Sequence, residues 1–594
     1  MTRRIVRSFT QIGILIAGVC LVVFFLDNRF RVLPHSLHAA LPLHHEVLVI
    51  TDINLKTCSS VNVFSSCRLD PDIWHRIEKD LYLNRGWTGS AWLHVQRKKE
   101  EELKAGEKVV VDLRISRLDP GAGEHGQEHE KWESRPGGIW ILRSNKRHDS
   151  DSNRVVTGVD LLFGPDAVEP RPGWKLTQTP LLIDAKENLE PRLSIRHGNP
   201  KATNADTPVL RVRKDGKFKI LQVSDLHLST GVGACRQAMD EKGEVKGKCE
   251  ADPRTLQFVE KIRDEEKPDM VVLSGDQVNG DTAPDVQTAM FKFADLFVSE
   301  GIPYAAIFGN HDDEGSKGTG LSRESQMSLL SSLPYSLSRF GPDEVDGVGN
   351  YYIEVLAGSP SQHSALTLYF MDSHAYSPDE AKFRGYDWIK PNQIAWFKET
   401  AKKLKSRNDK YSRIHMNMAF IHIPLPEFAM EDNVYAGGEF REPSTAPGFN
   451  SGFYAALKEQ GVLAVGCGHD HVNDNCALRP LAKHETRDVQ KKPSSKETSV
   501  GKATTLSDKM TVAESPRLPS GLGPWMCYAG GSGFGGYAGY GGFHRRVRVW
   551  EVDTNAGRIT TWTRVECCGA DTKKKNNELI IVESGKVIAP VAKE

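Results

Sequence analysis

From Lys217 onward the chain repeats one arrangement: a short apolar strand, a polar cluster at its C-terminal end, then an amphipathic helix. "FKILQVSDLHL" precedes the helical pattern "PRTLQFVEKIRDEEK". "DMVVLSGDQVNG" precedes "PDVQTAMFKFADLFVSE", and "IPYAAIFGNHDDEG" precedes "SRESQMSLLSSL". "ALTLYFMDSH" leads to "NQIAWFKETAKKLKS"; "NMAFIHIP" follows, and "GFYAALKEQ" runs into "GVLAVGCGHDH". No other feature restricts the fold as much, because strands alternating with helices build an α/β domain.

The strand ends carry metal-ligating residue types. They are Asp225-x-His227, Gly275-Asp276, Gly309-Asn310-His311-Asp312, His422 and Gly468-His469-x-His471. In an open α/β sheet, sites gather beyond the carboxyl ends of the strands. If strand geometry persists, Asp225 and His227 share a face, as do His469 and His471. Glycines before Asp276, Asn310 and His469 let the backbone turn or approach closely. Each cluster alone is a weak signal, and a lone His422 is more often a hydrogen-bonded core histidine. Five clusters at five predicted strand ends are a strong one.

The series D-x-H, G-D, G-N-H-D, H, G-H-x-H resembles the calcineurin-like metallophosphoesterase superfamily over about Lys217 to Trp550. The resemblance implies two packed mixed β-sheets flanked by helices, with a dimetal site at one edge. It implies that Asp225, His227 and His471 bind one metal and that Asp276 bridges both. Asn310, His422 and His469 complete the second. His311 stands beside the pair as the catalytic histidine, oriented by Asp312. The activity implied is hydrolysis of phosphomonoesters, phosphoproteins among them, by a metal-bound hydroxide with His311 assisting. Mixed N/O ligands suit two divalent or mixed-valence ions drawn from Mn, Fe or Zn. A phosphodiesterase or nucleotide hydrolase with the same ligands, and a non-catalytic regulator keeping the fold, stay open as alternatives.

Departures narrow the resemblance. Purple acid phosphatases have a tyrosine where this chain has Asn279, and PPP phosphatases have arginines that "GDQVNG" and "FGNHDDEG" lack. "ILQVSDLHLSTGVGACR", "CEADPRT", "GYDWIKPNQIAWF", "HIPLPEF" and "WMCYAGGSGFGGYAGYGG" are most similar to fungal phosphatases of the dosage-dependent cell-cycle-regulator type. His374 reads as a turn residue satisfied by backbone or as lining a substrate pocket, and Arg384, Tyr386 and Trp388 as a structured loop with core aromatics or as substrate contacts. Gly530 to Gly542 lacks the Walker lysine and a following helix, so it reads as a loop packed near the metals.

The first third differs. "HEVLVITDINL", "SAWLHVQRK", "EKVVVDLRIS", "GIWILRS" and "RVVTGVDLLFG" are β-branched runs of a β-rich accessory domain over 45–205. "DPDIWHRIEKDLYL" fits a helix period, and 119–138 reads as a polar loop. The metallophosphoesterase-type domain is expected over 206–568, with a Lys/Ser/Thr/Pro-rich insertion at about 477–520 and a polar C-terminal tail over 569–594. Residues 1–44 hold a basic start and an uncharged run from Ile12 to Leu26. As a helix that run spans roughly 22 Å, short for a bilayer. The run is expected to be an uncleaved membrane anchor, with a signal peptide the alternative. Arg3, Arg4 and Arg7 favour a cytosolic N-terminus with the body across an endomembrane.

Cys58/Cys67, Cys235/Cys249 and Cys467/Cys476 are three locally spaced couples, readable as disulfides or as buried thiols. Lys+Arg 77 balances Asp+Glu 77, so no global basic excess points to nucleic acid.

Overall fold

The structure, a computed structural model, describes residues 18, 48–59, 67–84, 89–104, 106–122, 130–145, 154–198, 208–240, 242–245, 248–315, 321–411, 414–480, 521–539, 541–566 and 575–590. The expected anchor at 12–26 and most of the insertion lie outside the described residues, Gly18 excepted. Among the described residues, no helix is long and apolar enough to cross a membrane. The chain divides into two compact units, Met1–Gly164 with Pro172–Ala202, and Pro165–Arg171 with Thr203–Glu594.

Strands dominate the first unit among its described residues, with single 3-10 turns at Glu100–Glu102 and Pro136–Gly138. Its strands are β1 Leu48–Ser59, β2 His75–Arg76, β3 Gly89–Lys99, β4 Val109–Ile115, β5 Glu130–Arg135, β6 Ile139–Ser144, β7 Val156–Phe163, β8 Trp174–Leu176 and β9 Pro191–His197. They form antiparallel sheets of order β1-β3-β2, β4-β6-β5 and β7-β9-β8. Ile53, Leu93, Ile141, Leu161 and Leu193 point into one core. The five expected strand runs fall on β1, β3, β4, β6 and β7.

Two expectations fail here. Residues 70–83 are not a helix: the segment runs extended beside β3, with Ile77 N–H donating to Leu93 O at 2.9 Å and Leu81 N–H to Ala91 O at 3.0 Å. Ile73, Ile77 and Leu81 fit a period of 3.6, while Ile77, Leu81 and Leu83 fit a period of two, and pairing with β3 decides between them. Six residues of the expected polar loop at 119–138 are β5, because Glu130–Arg135 finds a complete antiparallel partner in β6.

The second unit is the expected α/β sandwich. Its strands are β10 Lys217–Val223, β11 Met270–Ser274, β12 Tyr304–Ile307, β13 Tyr351–Leu356, β14 Ser364–Phe370, β15 Met416–Phe420, β16 Val434–Ala436, β17 Ala464–Cys467, β18 Cys476–Leu478, β19 Trp525–Tyr528, β20 Arg546–Asp553, β21 Arg558–Val565, β22 Asn576–Glu583 and β23 Lys586–Val587. One sheet has the order β12-β11-β10-β20-β21-β22-β23, the other β13-β14-β15-β17-β19-β18-β16. Both are mixed: β10, β11 and β12 run parallel, as do β14, β15, β17 and β19, and antiparallel strands flank them. Alternate residues of facing strands fill the space between the sheets, among them Phe218, Ile220, Val272, Ile307, Leu366, Leu368, Phe370, Met418 and Trp550.

Helices α1 Ala251–Glu266, α2 Val286–Val298, α3 Arg323–Ser332, α4 Pro391–Asn408 and α5 Phe453–Glu459 connect the strands. Asp285 caps α2 by accepting Thr288 N–H, and Ser322 caps α3 by accepting Ser325 N–H. Phe397, Ala401 and Leu404 of α4 pack on the outer face of the second sheet with Phe453 and Leu457 of α5. The tail expected after residue 568 instead supplies β22 and β23, which extend the first sheet. Ile581 and Val582 are fully buried there.

The cysteine couples also change. Cys58–Cys67 and Cys235–Cys249 are bonded. Cys467 is free and buried, and Cys476 bonds Cys527 instead. Cys476 and Cys527 are direct cross-strand partners in β18 and β19. Cys467 turns to the opposite face of its sheet, among the residues under α4 and α5.

Candidate metal centre

Every ligand candidate follows a strand end. β10 delivers Asp225 and His227, β11 delivers Asp276, β12 delivers Asn310 and His311, β15 delivers His422, and β17 delivers His469 and His471. The first three strands belong to one sheet and the last two to the other, so the site closes where the two sheets meet. Strand geometry does not persist into these segments. Asp225, His227, Asp276 and His469 have φ of 57°, 47°, 53° and 76°. Four left-handed residues other than glycine, all at candidate ligands, mark local strain held by the surrounding fold.

Two triads converge: Asp225, His227 and His471, and Asp276, His422 and His469, all buried. Within the first, His227 Nε2 and His471 Nε2 lie 3.1 Å apart, and His471 Nε2 is 3.3 Å from Asp225 Oδ1. Within the second, His422 Nε2 lies 3.3 Å from His469 Nδ1 and 3.1 Å from Asp276 Oδ2. Asn310 Oδ1 joins this second group, 3.3 Å from His422 Nε2. Asp276 Oδ2 also lies 3.7 Å from His227 Nε2, so one oxygen faces both triads. Its Oδ1 is occupied by the His311 N–H at 2.8 Å.

The donor set fits cations. His471 Nδ1 lies 2.9 Å from Tyr537 O, and His422 Nδ1 lies 2.9 Å from Ser274 O. A carbonyl only accepts, so in both rings Nδ1 carries a proton and Nε2 is the nitrogen turned inward, where its lone pair would meet a cation. Burial, then neighbouring His471 and His311, lower His227 to about 3, and burial with neighbouring His422 lowers His469 to about 3. Both are therefore neutral imidazoles, the form that binds metal. Burial also opposes charge on Asp225 and Asp276, but His471 and His422 respectively hold them below the ordinary carboxylate value. Burial opposes charge on His422 as well, yet Asp276 raises it to about 9. Buried lone pairs facing one another across about 3 Å repel unless a positive charge lies among them.

Glycines let the loops close around these side chains. A Cβ on Gly309 would meet Asp276 Oδ1 at 2.1 Å, and one on Gly536 would meet His227 Cδ2 at 2.5 Å and His471 Cε1 at 2.6 Å. The glycine-rich loop thus packs on the first triad as expected. It also brings Tyr537, whose ring stacks on His471 at 3.9 Å and whose O–H donates to Glu442 at 2.6 Å. Nothing in the local sequence pattern singles out Tyr537 or Glu442.

Asp312 does not orient His311. Its Oδ2 accepts Asp276 N–H at 2.9 Å and Gly309 N–H at 2.7 Å, and its Oδ1 accepts Val278 N–H at 2.9 Å. It ties the loop after β11 to the loop after β12. Burial and nearby Asp276 push it up to about 7 against those amides. The carboxylate that meets His311 Nδ1 is Glu314, which also accepts the Tyr376 O–H. Burial opposes charge on His311, but Asp276 and Glu314 raise its pKa overall. Asp470 faces away and accepts Thr445 N–H at 3.2 Å.

Of the other candidates, Tyr386 places its ring edge on His469 at 4.2 Å and stacks with Tyr376 at 5.6 Å. His374 Nε2 meets Gln393 Oε1 at 2.8 Å and lines a cavity of about 480 Å³ with Arg323 and Phe340. Trp388 packs on Phe383 and Phe449, and Arg384 is exposed.

These strand-end ligands on a two-sheet sandwich define a dinuclear-type metal-binding α/β protein. The family model for calcineurin-like phosphoesterases matches residues 218–473. Phosphatase DCR2 of Saccharomyces cerevisiae is 35% identical over 422 residues, covering 69% of this chain and 64% of that protein, less than two thirds of its length. An uncharacterised protein of Schizosaccharomyces pombe is 31% identical over 535 residues, covering 88% of both chains. Probable inactive purple acid phosphatase 14 of Arabidopsis thaliana is 33% identical over 396 residues, covering 62% of this chain and 84% of that one. The chain belongs to the calcineurin-like phosphoesterase family.

Proposed function

We propose that this chain is a dimetal-dependent phosphatase that hydrolyses phosphomonoesters, with phosphoproteins among its substrates. The observation that carries the reading is the pair of buried triads sharing Asp276 Oδ2, with His311 at their edge. Asp225, His227, His471 and Asp276 would hold one cation; Asp276, Asn310, His422 and His469 would hold the other. Two divalent cations there supply neutralisation of phosphoryl charge and a water acidic enough to attack at neutral pH.

The remaining work falls to the chain. Its His311 ring sits 5.1 Å from that of His227, with the side chain 31% exposed, where a substrate arriving from solvent would meet it. As the P–O bond breaks, its electron pair goes to the leaving oxygen, and His311 Nε2 gives that oxygen its proton. Asn310 contributes a carbonyl oxygen without adding charge. Tyr376 and Tyr386 line the lip. The name of the yeast relative supports phosphatase activity, and the name of the plant relative keeps a non-catalytic regulator as the rival. Retention of all seven candidate ligands argues against that rival. Residues 12–26 as a membrane anchor belong to the same reading, on sequence alone, and protease protection in intact vesicles tests that part.

The decisive assay compares an aryl phosphate with a bis-aryl phosphate on one metal-loaded preparation. Monoester hydrolysis lost on chelation and in Asp276→Asn, with thermal stability kept, is the expected result. A preference for the diester would make the chain a phosphodiesterase. Full activity in both Asp276→Asn and His311→Ala would refute the site.

A further inference from the structure

We propose that Glu314 is the positioning residue for His311 and that Tyr376 holds it in place, an inference resting on the phosphatase reading above. The segment "HDDEG" offers three carboxylates near the histidine. Each has a separate partner. Asp312 is spent on three backbone amides. Asp313 pairs with Arg323 at 3.1 Å. Only Glu314 turns to the ring, with Oε2 on His311 Nδ1.

The contact is built from several sides. Glu314 N–H donates to His311 O at 3.3 Å, closing a turn that brings the two side chains together. Gly280, in the loop after β11, also donates to His311 O at 3.0 Å. A Cβ on Gly280 would meet Glu314 O at 2.0 Å, so the loop presses against this turn with no space for a side chain. Glu314 Oε1 accepts the Tyr376 O–H, and the Tyr376 hydroxyl oxygen in turn lies 3.5 Å from Asn310 Nδ2. A chain of contacts therefore runs from a candidate ligand, through Tyr376 and Glu314, to His311.

The consequence is geometric. With Nδ1–H committed to Glu314, the ring presents Nε2 to the leaving oxygen. Besides Glu314, the ring meets the His227 ring edge-on at 5.1 Å, a contact that bounds its place without choosing which nitrogen faces outward. Without Glu314 the ring samples other rotamers, and either nitrogen can face the substrate. The loss falls on the step that needs a proton, which is P–O cleavage toward a poor leaving group. A strongly acidic phenol departs as phenolate without help, so its phosphate ester is largely spared.

The test uses the full metal-loaded chain with phosphates of graded leaving-group acidity, from dinitrophenyl to alkyl. Glu314→Ala is expected to lower kcat for the poorest leaving groups by about 10- to 100-fold, less than the roughly 10²- to 10⁴-fold that a general acid supplies in full. KM, metal content and melting temperature stay near wild type, and the best leaving group loses less than about threefold. Glu314→Gln, which keeps an acceptor, recovers part of the loss; Tyr376→Phe shows a weaker form of it. His311→Ala combined with Glu314→Ala is no slower than His311→Ala alone. A loss uniform across leaving groups, additive effects in the double variant, or loss of metal in Glu314→Ala overturns the inference. Impairment in His311→Ala but not in Glu314→Ala refutes the positioning role and leaves the phosphatase reading intact. Absence of monoesterase activity in the wild type refutes both, and full activity in His311→Ala overturns this inference and the acid role given to His311 while leaving monoester hydrolysis itself standing.

Discussion

Asp312 gives the sharpest test of how the centre is held, because sequence and structure assign it different jobs. Its two oxygens accept three buried amide protons, from Asp276, Gly309 and Val278, at 2.7–2.9 Å. Asp312→Asn can keep its carbonyl oxygen where Oδ2 now accepts two of them. Its amide then faces the Val278 N–H, one donor against another. A hydrogen bond to a charged acceptor contributes about 1.5–3 kcal/mol, and a buried donor left without a partner costs about 1–3 kcal/mol. The expected destabilisation is therefore about 2–4 kcal/mol. Asp312→Ala strands all three donors and is expected to cost on the order of 5 kcal/mol or more.

The loop released is the one that holds Asp276 at φ 53°, so metal retention should fall with stability. Urea unfolding and metal analysis on the same preparations measure both. If Asp312 served only to orient His311, Asp312→Asn would lower kcat while the unfolding midpoint and metal content stayed at wild-type values. That result would refute the structural assignment.

Other consequences are direct. Gly536→Ala drives a Cβ into the His227 and His471 rings and is expected to leave fewer than two metals per chain by elemental analysis. Cys476→Ser opens a loop with a sequence separation of 51, which the chain-entropy account values at about 4 kcal/mol; a urea midpoint unchanged from wild type would count against the bond. Glu266 is held below its ordinary value because Arg564, Lys219 and the Trp562 N–H outweigh burial. A depressed carboxylate stabilises the fold above its unfolded value, about pH 4.3, and that stability is lost as pH falls through the lower folded value. Glu266→Gln should therefore be less stable at pH 7 and show a flatter loss between about pH 5 and 3 in urea titrations; an acid limb identical to wild type would contradict it.

What could be read from the sequence was local. A strand of four to seven residues shows itself by its apolar run, and the rule that sites lie beyond carboxyl ends then picks out Asp225, Asp276, Asn310, His422 and His469 without any three-dimensional knowledge. The same locality explains the misses. The face-sharing argument assumed extended backbone: Asp225 and His227 do meet in one triad, but as left-handed residues, while His469 and His471 part into separate triads; a dipeptide pattern does not encode a strained φ that only the surrounding loops can hold. The Cys467/Cys476 pairing counted residues along the chain, but β19, 51 positions from Cys476, is what lies opposite it. Residues 70–83 carried two periods at once, and β3 chose one. Glu314 belongs to the same class: in "HDDEG" three carboxylates are equivalent by spacing. The choice among them is made by what approaches from elsewhere: the loop amides around Asp312, Arg323 at Asp313, and Tyr376 at Glu314. The ligand types could be read locally, while the residue that orients the acid is set by segments about 30 to 60 positions away, so substitutions in those segments should alter proton transfer without touching a metal ligand.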